Sequence, residues 1–193
     1  PEVPLIVPEV NPEAILKHKG IIANPNCSTI IMLMALKPIY DLARIKRIIV
    51  STYQAVSGAG KEGIDELTNQ VGEYLDGKEM TANILPSASA EKHYPIAFNL
   101  IPQIDVFCDN LYTKEEMKMV NETRKILDDY DMRITATTIR VPVYRSHSES
   151  VNIELEKDVS LEEIKKALAA FPGVIVQDDP ETQTYPMPLY TSD

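Results

Sequence analysis

The sequence has no tryptophan, only three phenylalanines, seven glycines and two cysteines in 193 residues. Two cysteines far apart, Cys27 and Cys108, exclude a disulfide-stapled secreted scaffold and suit a reduced, cytoplasmic setting. The three histidines, His18, His93 and His147, are scattered. None stands at ligand spacing from a cysteine or another histidine, so no metal is expected. No apolar run approaches the roughly 20 residues that span a bilayer, and no basic segment leads into an apolar one as in a secretory signal. Positive charge is short: 19 Lys and Arg face 29 Asp and Glu, for a net −10. That argues against nucleic acid and anionic membrane as partners, since both need a basic surface. It leaves room for a small anion held by a local cluster of Arg and Lys. An initiating Met is also lacking. Pro1 runs straight into Glu2-Val3-Pro4-Leu5-Ile6-Val7, which reads as a cut inside a longer chain.

What is present is ordinary for a soluble globular protein, with 44% hydrophobic and 25% charged residues. Pro4–Val7 and Gly20–Ala23 look like short strands around a turn or short helix at Asn11–Lys17. Asn24-Pro25-Asn26 is a strong turn signal. After it, Cys27 opens a segment apolar on every side, through Ile30–Leu36, that suits a buried helix ending before Pro38. Arg47–Gln54 reads as a strand and Lys61–Leu75 as a helix with Ile64, Leu67, Val71 and Tyr74 on one face. Residues 92–108 suggest irregular strands broken by Pro95 and Pro102. Thr113 with Glu116, and Ser160 with Glu163, are capping-box patterns that start two helices, the first running to about Asp128 and the second stopping at Pro172-Gly173. Met132–Val143, Ser150–Leu155 and Val174–Val176 read as strands. Beyond 177 the chain is Pro-rich and irregular. Together these elements predict an α+β domain with a mixed, largely antiparallel sheet covered by helices.

Cys27 would sit at a helix N-terminus, where the macrodipole and free N–H groups favour the thiolate. A buried packing cysteine is an equally good reading of that spacing, because free Cys is among the most buried residue types. Glu122 and Lys125, three apart on a helix, suit a solvated ion pair. His147 beside Ser148-Glu149 suits a surface histidine, and Arg140 an edge-strand residue. His18 and His93 read as structural and Cys108 as a packing residue. Gly58-Ala59-Gly60-Lys61-Glu62-Gly63 satisfies a GxGxxG spacing. However, Ala55 to Gly58 intervene after the strand, and no acidic strand end follows about 20 residues later, so this is not taken as the primary dinucleotide site.

Several segments, in this order, resemble the aspartate-β-semialdehyde dehydrogenase family. They are Pro4–Asn11, Asn24-Pro25-Asn26-Cys27-Ser28-Thr29, Ser51–Gly60, Asn121-Glu122-Thr123-Arg124-Lys125, Arg140-Val141-Pro142-Val143, His147-Ser148-Glu149 and Gln177-Asp178-Asp179-Pro180. The resemblance implies a fold of the glyceraldehyde-phosphate-dehydrogenase C-terminal type. It implies NADPH-dependent conversion of aspartyl phosphate to aspartate semialdehyde and phosphate, on the way to lysine, methionine and threonine. Cys27 is then the nucleophile that forms a thioester, His147 the acid/base on the hemithioacetal oxygen and Gln54 the group that orients the carbonyl. Arg140 would clamp the α-carboxylate, Glu122 would pair with the α-amino group, and Lys125 and Asn26 would lie near the phosphate. Ser57, Gly58, Ala59 and Gly60 would lie near the nicotinamide of NADP.

The same resemblance divides the chain into 1–26, the end of a truncated nucleotide-binding domain with its linker, and 27–193, a catalytic and dimerisation domain. It implies a homodimer. Because the family's glycine fingerprint is not in the sequence, the chain alone is expected not to turn over. Three alternatives stay open: a related phosphorylating dehydrogenase such as an N-acetyl-glutamyl-phosphate reductase or a glyceraldehyde-phosphate dehydrogenase, a catalytically idle dimerisation module, and a cysteine hydrolase.

Overall fold

A computed structural model describes residues 2–191. The chain forms two compact units. The first comprises Pro1–Val50, Lys118–Ala136 and Val151–Tyr185, and the second Ser51–Met117, Thr137–Ser150 and Pro186–Asp193.

The first unit is built on α1 (Cys27–Ala43). Its buried positions Met32, Leu33, Leu36, Ile39, Tyr40 and Ala43 recur at helical spacing and form one stripe. Most of that stripe packs with Ile45, Ile48 and Val50 of β1 (Ile45–Gln54), Met119 of α3 (Lys114–Leu127), and Met132 and Ala136 of β2 (Arg133–Arg140). Ile164 and Leu168 of α4 (Leu161–Ala170) close the cluster. The helix does not stop before Pro38 as expected but runs through it. An interior proline costs about 3 kcal/mol. Ile39, Tyr40 and Ala43 lie beyond it and are all buried, and their burial, at about 1.5–3 kcal/mol for a large apolar side chain, outweighs that cost.

The strands form one sheet in the order β2-β1-β3, with β3 at Ser148–Leu155. At the C-terminal ends of β1 and β2, the Val141 N–H donates to the Gln54 carbonyl at 3.0 Å, as in parallel neighbours. The residue after β3, Glu156, instead donates to the carbonyls of Ala43 and Arg44 just before β1 begins. β3 is therefore antiparallel to β1, and the sheet is mixed. This is the α+β arrangement of sheet and helices read from the sequence.

Both capping boxes form. Thr113 N–H donates to Glu116 Oε2 at 2.8 Å and Glu116 N–H to Thr113 Oγ1 at 3.3 Å. Ser160 and Glu163 make the same reciprocal pair. Pro4–Val7 and Gly20–Ala23 meet in a single parallel bridge, Leu5 with Ala23, around a 3₁₀ turn at Pro12–Lys17.

In the second unit, α2 (Gly60–Leu75) lays Leu67, with Ile64 and Val71 beside it, on Val56, Leu85, Ile96, Ala97 and Ile101. Tyr74 does not join this face; it is 56% exposed and tilts against Phe98. Residues 92–108 form no strand. They make only isolated bridges, Ile101 with Arg140 and Phe107 with Thr113. Side chains of α2 supply the missing partners: Gln70 Oε1 accepts from the N–H groups of Ile96 and Ala97. In the first unit, Val174–Val176 is likewise no strand. Val174 N–H closes a turn on Phe171, Gly173 has φ 80°, and Ile175 is 87% exposed. A ladder needs a neighbouring strand, and none of the sheet's three strands takes that place. A further short helix, α5, spans Pro188–Thr191.

Candidate functional site

The residues singled out by sequence fall into two groups, one in each compact unit. Asn26, Cys27, Glu122 and Lys125 belong to the first. Gln54, Ser57 to Gly60, Arg140 and His147 belong to the second.

In the first group, the Asn24-Pro25-Asn26 turn feeds directly into α1. Asn26 is its N-cap, with Oδ1 accepting from the Thr29 N–H at 3.2 Å. Cys27 is the first helical residue and is exposed, so the thiol meets the positive end of the helix and is open to reagents. The packing-cysteine reading therefore does not describe Cys27. From α3, Glu122 Oε2 accepts the backbone N–H of Asn26 at 2.7 Å. One turn on, Lys125 Nζ donates to the carbonyl of Val3 at 2.7 Å. The face of α3 that carries Glu122 and Lys125 is thus turned to the N-terminal segment, and both side chains are half-buried.

The second group centres on Ala55, a fully buried residue just past β1. Its N–H donates to His147 Nδ1 at 3.0 Å, and its carbonyl accepts from Arg140 Nη1 at 2.7 Å. One residue's main chain therefore docks both side chains. With Nδ1 accepting, the proton of the neutral ring sits on Nε2. Burial lowers the His147 pKa first, and the Arg140 guanidinium lowers it further, against an opposing pull from Glu115. The neutral ring with an Nε2–H donor is the form this environment favours. Arg140 is 3% exposed, which fixes its guanidinium. Gln54 is buried too, with Nε2 donating to Thr52 Oγ1 and Glu115 Oε1, both at 3.2 Å.

Two members of this group had no signal in the sequence. Ala55 acts only through its main chain, so its residue type says nothing. Glu115 stands in the first turn of α3 beside a capping box and looks like one more exposed acid, yet it is 5% exposed. Glu149, two residues beyond His147, belongs to the His147-Ser148-Glu149 segment but was assigned no role from it. Its carboxylate oxygens are buried without a hydrogen-bond partner, and burial pushes its pKa up to about 8.

Ser57 to Gly60 form a 3₁₀ turn, Val56–Ala59, that leads into α2 at Gly60. The three glycines of the GxGxxG spacing have separate uses. A Cβ on Gly63 would meet the Val56 carbonyl at 2.6 Å, so this glycine lets the helix pack on its own preceding turn. Gly58 faces Arg140 and His147, and Gly60 adopts φ 77°. A pyrophosphate cradle needs a strand that passes straight into a helix with backbone N–H groups open to the ligand. The intervening 3₁₀ turn and the packed Gly63 do not fit that requirement.

Residues 36–193 match the family model described as semialdehyde dehydrogenase, dimerisation domain. The chain is similar to the aspartate-semialdehyde dehydrogenase of Aquifex aeolicus (strain VF5), at 56% identity over 191 residues, 98% of this chain and 54% of that protein. It is also similar to that of Bacillus subtilis (strain 168), at 54% identity, covering 96% of this chain and 54% of that one. The chain spans about half the length of these relatives. Among solved structures it resembles aspartate semialdehyde dehydrogenase II complexed with ASA from Vibrio cholerae, with a TM-score of 0.83 and 51% identity over 89% of this chain and 50% of that one. It shares a fold with aspartate semialdehyde dehydrogenase with NADP from Candida albicans, with a TM-score of 0.61 and 24% identity over 88% of this chain and 45% of that one.

Proposed function

The chain belongs to the semialdehyde dehydrogenase family, and on that premise we propose that it carries the acyl-transfer and substrate-binding groups of an aspartate-semialdehyde dehydrogenase. The reaction is the NADPH-dependent reduction of aspartyl phosphate to aspartate semialdehyde and phosphate, a step toward lysine, methionine and threonine. The observation that carries the reading is the docking of His147 and Arg140 on the two ends of Ala55. It gives a neutral N–H donor and a fixed guanidinium, the pair needed for a carbonyl oxygen and a carboxylate.

Cys27 attacks the acyl carbon of aspartyl phosphate. A C–S bond forms, the C–O bond to phosphate breaks, and phosphate leaves with the electron pair, giving a thioester. His147 serves through Nε2–H, donating to the oxygen that gains charge in the tetrahedral species and in the hemithioacetal. Gln54, held by Thr52 and Glu115, orients the carbonyl. Arg140 clamps the α-carboxylate and Glu122 pairs with the α-ammonium. Lys125 and Asn26 lie on the phosphate side. Residues 57–60 contribute at most to the nicotinamide end of NADP. Among the described residues, Gly58–Gly63 does not fit a pyrophosphate cradle, and in this reading residues 27–193 act as the catalytic and dimerisation part of a longer enzyme, with 1–26 as the approach from its nucleotide-binding part. By itself the chain does not turn over.

A homodimer is part of the same reading. In the first unit, Arg47 and Ile49 of β1, Arg133 and Thr135 of β2 and Asn152 and Glu154 of β3 are exposed alternate residues, and Lys46 of β1 is exposed beside them. Among the described residues, no helix is long and apolar enough to cross a membrane, and neither cysteine is in a disulfide. We read the enzyme as cytoplasmic, and its net charge of −10 as unsuited to nucleic acid or an anionic membrane.

The test is an assay of the protein that carries this chain, with aspartate semialdehyde, phosphate and NADP, followed by nicotinamide absorbance. Cys27→Ala must abolish turnover and Cys108→Ala must leave it. Turnover of N-acetyl-glutamate semialdehyde in place of aspartate semialdehyde would move the chain to the other phosphorylating dehydrogenases. Glu122 favours the free amino acid, because an N-acetylated substrate has no ammonium for a carboxylate to pair with.

A further inference from the structure

We propose that Gly58 is a positioning residue: its missing side chain is the space that lets the Arg140 guanidinium and the His147 ring lie together on Ala55. This rests on the reading of Arg140 as carboxylate clamp and His147 as N–H donor. A Cβ at position 58 would lie 2.7 Å from Arg140 Nη1 and 3.3 Å from both Cε1 and Nε2 of His147. The first distance is well inside the contact separation of two heavy atoms, about 3.5 Å or more.

The end of a flexible side chain usually swings away from such a collision at little cost. Here it does not. Arg140 is 3% exposed, and the colliding nitrogen is the one bonded to the Ala55 carbonyl at 2.7 Å. The Gly58 N–H donates to that same carbonyl at 3.2 Å. The His147 ring is tied from its other side by the Ala55 N–H. A guanidinium pushed off Ala55 loses a charge-assisted bond in a buried place and turns its fork away from the substrate carboxylate.

Backbone conformation gives no other reason for glycine at 58. The glycines with left-handed φ are Gly20, Gly60, Gly77 and Gly173. Gly72, in the last turn of α2, has open space around its Cβ position and no left-handed φ, and so serves as the control.

The experiment compares Gly58→Ala, Gly72→Ala and the unsubstituted parent, each in the longer protein that carries this chain, by two readouts. The first is NMR titration of the His147 imidazole, identified by its loss in His147→Gln. The charged groups that act on this ring are Arg140, which lowers its pKa, and Glu115, which raises it. In Gly58→Ala the displaced guanidinium no longer suppresses the imidazolium, so the pKa rises; in Gly72→Ala it does not. The second is kinetics: KM for aspartate semialdehyde rises by roughly tenfold or more in Gly58→Ala, with a smaller change in kcat. An unchanged His147 titration in a folded Gly58→Ala protein overturns the proposal. A parent protein inactive on aspartate semialdehyde overturns only the assigned reaction, and the titration still decides the role of Gly58. If Gly58→Ala alone does not fold, the double variant with Arg140→Lys, which removes the colliding nitrogen, is expected to fold. Its failure to do so overturns the proposal as well.

Discussion

The Glu122 carboxylate accepts the backbone N–H of Asn26 at 2.7 Å, across 96 residues of sequence. That N–H belongs to the residue that caps α1, so a side chain on one helix fixes the start of another, where Cys27 stands. The carboxylate also places negative charge beside the positive end of α1, which is favourable. Glu122→Ala removes a charge-assisted bond and is expected to destabilise the protein by about 1–3 kcal/mol. Glu122→Gln, which keeps an acceptor oxygen, should lose less. Urea unfolding of the two variants checks this, and equal stability of Ala and parent would show that the bond holds nothing.

Cys27 and Cys108 differ in setting. Cys27 is exposed at the first helical position. Cys108 is half-buried, and its N–H and C=O are both engaged in the turn with Leu111 and Tyr112. Iodoacetamide near neutral pH should therefore modify Cys27 first, because only the exposed thiol gains from the helix N-terminus. Peptide mass spectrometry against time gives the order, and faster labelling of Cys108 would count against Cys27 as nucleophile.

How far the sequence reaches depends on the range of the forces involved. The two capping boxes were legible because a box closes within four residues. Cys27 at a helix start was legible for the same reason, from an Asn-Pro-Asn turn followed by apolar residues. The passage of α1 through Pro38 was not, because it depends on the core that Ile39, Tyr40 and Ala43 enter. Residues 92–108 misled in another way. Their apolar character is that of a strand, but their backbone partners are Gln70 and scattered single bridges. The site divides likewise. Its candidate residues come from the resemblance carried by the order of the motifs. The docking of His147 and Arg140 on Ala55, 92 and 85 residues away, leaves no mark on residue identity, since main-chain groups are the same everywhere.

Glu149 makes stability depend on pH. Its pKa rises from about 4.5 in an open chain to about 8 in the fold because burial penalises the carboxylate. The unfolded chain thus releases a proton that the folded one keeps. Stability from this group is full below about pH 4.5, falls as pH rises toward 8, and is level above that. Glu149→Gln cannot ionise. Its melting temperature relative to the parent should climb between pH 5 and 8 and then stay constant. A difference independent of pH would mean that Glu149 is ionised in the fold.

If the exposed strand residues of the first unit meet a second copy, Ile49, 38% exposed, lies where apolar contact matters most. Ile49→Asp buries a charge in such an interface and should shift the protein toward monomer in sedimentation, with the secondary structure intact. A parent protein that is already monomeric, or a variant that stays dimeric, would remove this face from consideration.

Glu66 is the test of how the irregular segment of the second unit is held. The residue is 7% exposed on α2. Its Oε2 accepts the N–H groups of Asn83 and Ile84 at 2.7 and 2.8 Å, and Oε1 that of Leu85 at 3.2 Å. Three consecutive main-chain donors, which in a strand would point alternately to opposite sides, thus end on one carboxylate. Four residues on, Gln70 does the same for Ile96 and Ala97 and donates to the Thr81 carbonyl. Leu85 and Ile96, which these bonds hold in place, are core residues with no exposure. Glu66→Ala leaves three donors without their acceptor. Each costs about 1–3 kcal/mol if it stays dry, and the sum is enough to detach the segment even if water reaches part of it. The expected result is fast amide exchange at residues 83–85 and a loss of several kcal/mol, roughly that sum, with amides of α1 still protected in native-state exchange. Glu66→Gln keeps Oε1 and turns one acceptor into a donor facing N–H groups, so it should fall between parent and Ala. Slow exchange at 83–85 in Glu66→Ala would mean that the apolar contacts of Leu85 alone hold the segment, and that the carboxylate is dispensable.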